Sequence, residues 1–156
     1  MILAIDPGLT GALCLYDPET KLIEILDMPV LEVKRGKGMK HEISPYLLRE
    51  LLYFRKITKA YIEKVGAMPG QGTSSMFQFG RGVGQVEGVL AGLNIPVEYV
   101  TPQAWIKGMG VRGGKDGSRE KATQLLPQCA HFFQRKKDHG RADACLIALY
   151  KARVAP

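Results

Sequence analysis

Apolar runs and their interruptions divide the chain into short, legible segments. "MILAID" (1–6) is almost wholly apolar and stops at Pro7-Gly8, the pattern of a strand buried on both faces. "GALCLYD" (11–17) and "KLIEILDM" (21–28) follow, with Asp17-Pro18 supplying turn chemistry between them, so the chain opens with a predicted three-stranded meander. Residues 29–43 mix Lys34, Arg35, Lys37 and Lys40 with Gly36 and Gly38 and predict a basic loop. Ser44-Pro45 is an N-cap followed by proline at the first helical position, and Leu47, Leu48, Leu51 and Leu52 continue an amphipathic helix to about residue 57. "KAYIEKV" (59–65) predicts a fourth strand, residues 73–94 a long helix and "PVEYV" (96–100) a fifth strand. Thr101-Pro102 opens a short helix, "SREKATQLLP" from Ser118 is helical in pattern, and "RADACLIALYKAR" (141–153) is the last helix. Three antiparallel strands followed by alternating helix and strand predict an α/β fold with a mixed sheet.

Gly80, Gly84, Gly88 and Gly92 recur every fourth residue of the long helix, with Gly82 beside them. Each costs about 1 kcal/mol relative to alanine in a helix interior. The stripe reads as packing against the sheet, as a dimer seam, or as a break in the helix.

Composition adds little until charge is considered. A length of 156 residues predicts one domain with a full core. No apolar run approaches the ~18–20 residues that cross a bilayer, so no membrane partner is expected, and nothing at the N-terminus has the pattern of a secretion signal. Cys14, Cys129 and Cys145 are scattered and lack CxxC spacing, which predicts reduced thiols in a cytoplasmic protein. The formal charge of +7 is concentrated in residues 34–41, 107–121 and 135–141, each read as loop. Three basic loops converging on one surface suit a polyanion, with nucleic acid first among them.

Against that background the acids stand out. Asp6 ends the first strand, where ligands bind in open α/β sheets. Glu63 ends the strand "AYIE" and the chain turns away at Gly66. Asp143 opens the last helix. Taken singly, each has a plain structural role: a turn cap, a surface acid, a partner of the helix dipole. Together they form a cluster whose mutual repulsion needs cations, and oxygen donors without cysteine suit Mg²⁺ or Mn²⁺. Paired divalent ions activate a water and stabilise the leaving oxygen of a phosphodiester. A basic surface around an acidic metal pocket is the charge arrangement of a nuclease.

"AIDPGLTGAL", "YIEKV", "MFQFGRGVGQVEGVL" and "HGRADACLIALY" resemble, in order and spacing, the RuvC family of Holliday junction resolvases, nearest to its phage and plastid-type branch. The resemblance covers most of the chain and is lost mainly in residues 29–43. It implies an RNase H-like fold, here a five-stranded mixed sheet with helices on both faces, spanning residues 1–156 as one nuclease domain. It also implies a homodimer, two Mg²⁺ or Mn²⁺ ions per active site, and paired symmetric nicks in a four-way DNA junction. The family's carboxylates carry over to Asp6, Glu63 and Asp143. For the fourth ligand, bacterial members use an acid or histidine at the position of Gly140, and plastid-like members an Asp at that of His139. His139 shares a helix face with Asp143 and is favoured over Asp138, five residues back, which remains the alternative. The resemblance implies that Lys107, and Lys121 in a stretch resembling the family's Gly-Ser-x-Glu-Lys, contact the scissile strand or steady charge in the transition state, so both are expected to bind DNA and Lys121 also to act in catalysis. Arg112, Lys115, Arg119 and Arg81 are expected to bind DNA. The loop 66–72 lacks the aromatic with which bacterial relatives open the junction, leaving Met68 or the backbone to substitute. Two other readings stay open: a nuclease of the same fold acting on other branched DNA, and a junction-binding module without activity.

Overall fold

The computed structural model describes residues 1–154 of the chain; residues 155 and 156 of the expected domain lie outside this range. Strands β1 (Ile2–Asp6), β2 (Ala12–Tyr16) and β3 (Ile23–Asp27) form the expected antiparallel meander. β6 (Lys59–Glu63) lies parallel to β1, and β7 (Val97–Val100) parallel to β6, giving the order β3-β2-β1-β6-β7. β1 and β2 are central and apolar because both of their faces are covered.

The two-residue period of these strands sorts the core into two layers. Leu3, Ile5, Leu13, Leu15 and Ile62 face one way, onto α1 (Pro45–Tyr53) and α2 (Thr73–Gly92), whose Leu48, Leu52, Val86 and Leu90 are fully buried. Ala4, Cys14, Tyr16 and Tyr61 face the other way, onto α3 (Pro102–Met109), α4 (Gly114–Leu125) and α5 (His139–Val154). Ser44 Oγ accepts from the Leu47 amide at 3.2 Å and Thr101 Oγ1 from the Ala104 amide at 3.3 Å, so both Ser/Thr-Pro pairs start helices as predicted.

Several elements differ from the sequence reading. Residues 29–43 are not a loop but carry a β-hairpin, β4 (Val30–Arg35) and β5 (Gly38–Ile43), turning at Gly36 in the left-handed region (φ 61°). It forms its own two-stranded sheet. α1 ends at Tyr53 rather than near residue 57, and Arg55 folds back onto the Leu51 carbonyl. α4 starts four residues before Ser118, after a turn in which Gly113 and Gly114 have φ of 88° and 63°. Short 3-10 turns occupy Pro127–Phe133 and Lys136–Asp138, and the last helix begins at His139.

The glycine-rich segment is one continuous helix, and its glycines do not pack on the sheet. A Cβ at Gly80, Gly84, Gly88 or Gly92 would meet nothing within 4 Å, whereas one at Gly82 would lie 3.1 Å from Ile43 Cδ1. Among the described residues only Gly82 of this stripe has an internal packing role, and the other four are exposed.

Candidate metal centre

β1 and β6 run parallel and in register, with Ile5 beside Ile62, so the next residues, Asp6 and Glu63, emerge together at their carboxyl ends. Strand alternation turns both toward the layer that contains α5, because Ala4 and Tyr61 already face it. The first turn and a half of α5 then supplies His139 and Asp143, four residues apart on one helix face. Ligand atoms of Asp6, His139 and Asp143 all lie within 4.8 Å of one another. His139 Nδ1 stands 3.8 Å from Asp143 Oδ2.

Glu63 adjoins this trio and is held by α3: the Trp105 indole N–H donates to its Oε1 at 2.8 Å. Its charge and that of Asp6 both act on Asp143. Burial pushes the carboxyl pKa values of Asp6 and Glu63 up, opposed by the Gly8 amide at Asp6 and the Trp105 donor at Glu63. Asp143 is pushed up to about 7, first by burial and then by Asp6 and Glu63, with the Ser118 hydroxyl pulling the other way. His139 is pushed down, by burial and then by the Lys115 charge, so its imidazole stays neutral and able to ligate.

His139 Nδ1 and Asp143 Oδ1 are buried and have no hydrogen-bond partner among the described residues. Unpaired buried polar atoms are costly, and here both belong to residues whose ligand atoms gather with that of Asp6. The donor set of carboxylates and one imidazole fits a hard or borderline divalent cation.

Asp138 is not part of the cluster. It is 3% exposed and accepts from the Arg135 amide at 2.8 Å and the Arg135 guanidinium at 2.9 Å, with Arg141 at 3.6 Å. Burial works to raise its pKa, but the Arg135 hydrogen bonds and the charges of both arginines hold it below the ordinary carboxylate range. Both of its oxygens are therefore committed to anchoring the start of α5. Position 140 offers no ligand either: a Cβ at Gly140 would lie 2.5 Å from the Thr10 carbonyl and 3.1 Å from Asp6 Oδ2. With α5 packed that tightly on the β1–β2 turn, the histidine one residue earlier takes the place beside Asp143.

The basic residues divide. Lys107, Arg112 and Lys115 are exposed. Lys115 acts on Asp6, His139 and Asp143 alike. It lines, with Gly113, Lys136, Lys137 and His139, a cavity of about 460 Å³. Lys121 lies half-buried against the end of α3, where a Cβ at Gly110 would be 3.9 Å from its Nζ. Arg119 is turned inward, donating to the Gln134 carbonyl at 2.9 Å and to Asp116 at 2.7 Å, and is a brace rather than a free phosphate contact. Arg81 pairs with Glu42 at 3.0 Å. Trp105 and Ser118 escaped the sequence reading; the signal for Trp105 was a lone tryptophan in the helix that follows the strand next to Glu63.

No family model matches the chain. Over 92 residues it is 34% identical to the Holliday junction resolvase MOC1, chloroplastic, of Chlamydomonas reinhardtii; the stretch is 58% of this chain but only 10% of that protein. The chain superposes on T. thermophilus RuvC in complex with a Holliday junction substrate with a TM-score of 0.61 and 15% identity, covering 99% of this chain and 96% of that one. A second Thermus thermophilus RuvC structure gives 0.58 and 13% over the same shares. These matches show the expected RNase H-like architecture. They also correct the cytoplasmic assignment, since the curated relative is chloroplastic; reduced thiols indicate redox conditions and do not name a compartment.

Proposed function

We propose that the chain is a RuvC-like, divalent-metal-dependent endonuclease that resolves four-way DNA junctions, a reading supported by its 34% identity over 92 residues to the MOC1 resolvase and by its RuvC-like fold. The observation that carries the reading is the meeting of Asp6, His139 and Asp143 within 4.8 Å, with two buried ligand atoms unpartnered. In this reading the domain acts as a homodimer with one metal centre per protomer. Support for the dimer comes from α2, where a Cβ at Gly80, Gly84, Gly88 or Gly92 would meet no described atom within 4 Å, leaving an exposed stripe of bare backbone.

Asp6, Glu63, His139 and Asp143 would hold the ions. Two Mg²⁺ or Mn²⁺ ions bound there supply an activated water and neutralise charge on the leaving oxygen. Trp105 fixes the Glu63 carboxylate, and burial keeps His139 in its ligating form. Lys115, facing the same acids, brings positive charge to the phosphate that enters the site, the part expected of Lys121. The exposed Lys107, Arg112, Lys136 and Lys137 hold the sugar–phosphate backbone around it.

Incubation with an end-labelled four-way junction, with and without Mg²⁺ or Mn²⁺, tests the reading. Symmetric paired nicks that require metal and vanish in Asp6→Asn, while junction binding persists, are the expected result. Cutting without metal, or undiminished cutting by Asp6→Asn, would overturn it. Binding without any cutting would leave the junction-binding module, and cutting of flaps or forks in preference to junctions the related branched-DNA nuclease.

A further inference from the structure

Asp6, Ala12 and Asp27 form one row across the sheet: Asp6 of β1 pairs with Ala12 of β2, and Ala12 pairs with Asp27 of β3. Residues opposite each other in a ladder share a face of the sheet. All three therefore point toward α5, as Ala4, Cys14 and Ile25, two residues away on the same strands, already do. Two strand spacings, about 9–10 Å, separate the two acids of the row. One acid, Asp6, gathers with His139 and Asp143 of α5. The other, Asp27, accepts from Arg141 of the same helix turn, at 2.6 Å from Nε and 2.7 Å from Nη2, a two-pronged pair.

His139, Gly140 and Arg141 are consecutive, and each residue turns an α-helix by about 100°. Arg141 therefore leaves α5 on the flank away from His139, with Gly140 between them against the sheet. A Cβ at Gly140 would lie 2.5 Å from the Thr10 carbonyl, so the helix rests on the β1–β2 turn at that point. The first turn of α5 thus straddles the row, with metal ligands on one flank and the ion pair on the other. Arg141 is not free to take a phosphate. Its side chain is 19% exposed, and its Nη1 donates to the Phe132 carbonyl at 3.5 Å and lies 3.6 Å from Asp138. The Arg135–Asp138 pair, three residues apart, ties a turn to itself. Arg141 and Asp27 are 114 residues apart and tie the helix to the sheet.

We propose that Arg141 is a positioning residue for the metal centre: clamped to Asp27, it seats the first turn of α5 on the sheet and so sets how closely His139 and Asp143 approach Asp6. Without the clamp the turn rocks about its contact at Gly140, and the two ligands on the opposite flank move relative to Asp6. The ion must then draw the site together, and its affinity falls. The inference rests on the metal centre of the proposed function and adds to it a pair, Arg141 and Asp27, outside the ligand set.

Mn²⁺ binding without DNA tests it, read by the fluorescence of Trp105, the chain's one tryptophan, whose indole bonds to Glu63. Arg141→Lys keeps the charge and loses the fork; Asp27→Asn keeps the shape and loses the charge. Each is expected to raise the Mn²⁺ concentration for half-maximal quenching about ten-fold. Melting temperatures in EDTA are expected to fall by no more than about 4 °C, because an ion pair with an exposed partner adds little stability, and the Asp27 side chain is 63% exposed. Combining the two substitutions should add less than about two-fold, since either one releases the clamp. Arg35→Lys breaks a pair of the same two-pronged kind, with Glu42 in the hairpin, and should leave the Mn²⁺ midpoint within about two-fold of wild type. Unmoved midpoints in Arg141→Lys and Asp27→Asn would overturn the positioning role alone. So would affinity losses that appear equally in Arg35→Lys or that scale with melting temperature across the set. A wild-type protein whose tryptophan and melting temperature both ignore Mn²⁺ would overturn the metal centre, and this inference with it.

Discussion

The Trp105 indole N–H donates to Glu63 Oε1 at 2.8 Å, tying the helix after β7 to the carboxylate that ends the neighbouring strand. Trp105 is 2% exposed, so the donor cannot turn to water. Glu63 is pushed toward its neutral form by burial and then partly restored by this bond. The tryptophan is thus a positioning residue that favours the charged, ligating state of the acid. Trp105→Phe keeps most of the ring and removes the donor. It is expected to cost about 1–3 kcal/mol in stability and to move the Mg²⁺ concentration for half-maximal cutting upward about ten-fold. A Mg²⁺ titration of nicking reads the second effect; an unmoved midpoint would show that Glu63 is oriented without the indole.

Asp138 and His139 are neighbours with opposite fates on substitution. Asp138→Ala removes the acceptor of the Arg135 amide and of its guanidinium and leaves a small hole at the start of α5, which is expected to cost about 1–3 kcal/mol. His139→Ala removes an imidazole whose Nδ1 has no partner, so stability should change by less than about 1 kcal/mol. Metal-dependent nicking should behave the other way. His139→Ala should lose about 100-fold, whereas Asp138→Ala, assayed well below its lowered melting temperature, should keep most of its activity. Thermal melts and Mn²⁺ titrations on the same preparations separate the two effects.

What could be read in advance follows physical lines. β1 and Asp6 were legible because an apolar run cut off by Pro-Gly has few structural solutions, and β6 with Glu63 repeats that pattern. The hairpin at 30–43 was not, because Leu31 and Met39 are exposed, at 48% and 56%, and cross-strand pairing rather than burial makes these strands. The choice between Asp138 and His139 depends on where α5 starts, and that is decided by Arg135, outside the helix pattern, capturing Asp138. Lys115 was legible as a DNA contact but not as a neighbour of the acids. Two left-handed glycines before it start α4 early, and a Cβ at Gly117 would lie 1.7 Å from the Arg112 carbonyl, so only a bare glycine allows that tight entry and brings Lys115 against the acids.

The raised acids give the metal-free protein a distinctive pH response. Asp143 moves from 3.8 to about 7 on folding, so its contribution to stability is full below pH 3.8 and is lost as the pH rises through 7. Asp6 and Glu63, also raised, act in the same direction. His139, lowered from 6.5, acts oppositely: its contribution is present above pH 6.5 and lost as the pH falls through its depressed value. In EDTA, stability should therefore decline between pH 5 and pH 7.5 by on the order of 2–4 kcal/mol. Asp143→Asn should flatten that decline, and Mg²⁺ should reverse it, since ions bind the ionised carboxylates and stabilise the folded state by mass action. Urea melts across the range, with and without Mg²⁺, give the slopes; a flat metal-free profile would mean the three acids do not share one buried site.

The four outward glycines of α2 separate folding from assembly. A single chain gains nothing from them, since no described atom would touch a Cβ at positions 80, 84, 88 or 92 and each glycine weakens the helix by about 1 kcal/mol. A second copy whose backbone approaches along that face would gain close contact that any larger side chain prevents. Gly84→Leu should therefore raise the melting temperature of the monomer while abolishing the dimer, two effects of opposite sign from one substitution. Light scattering gives the mass and calorimetry the melting temperature. Loss of paired but not single nicks in the same variant would link the interface to symmetric cutting, whereas an unchanged dimer mass would move the interface off α2. Gly82→Leu is unsuitable as a probe, because Ile43 already fills the space its side chain would need.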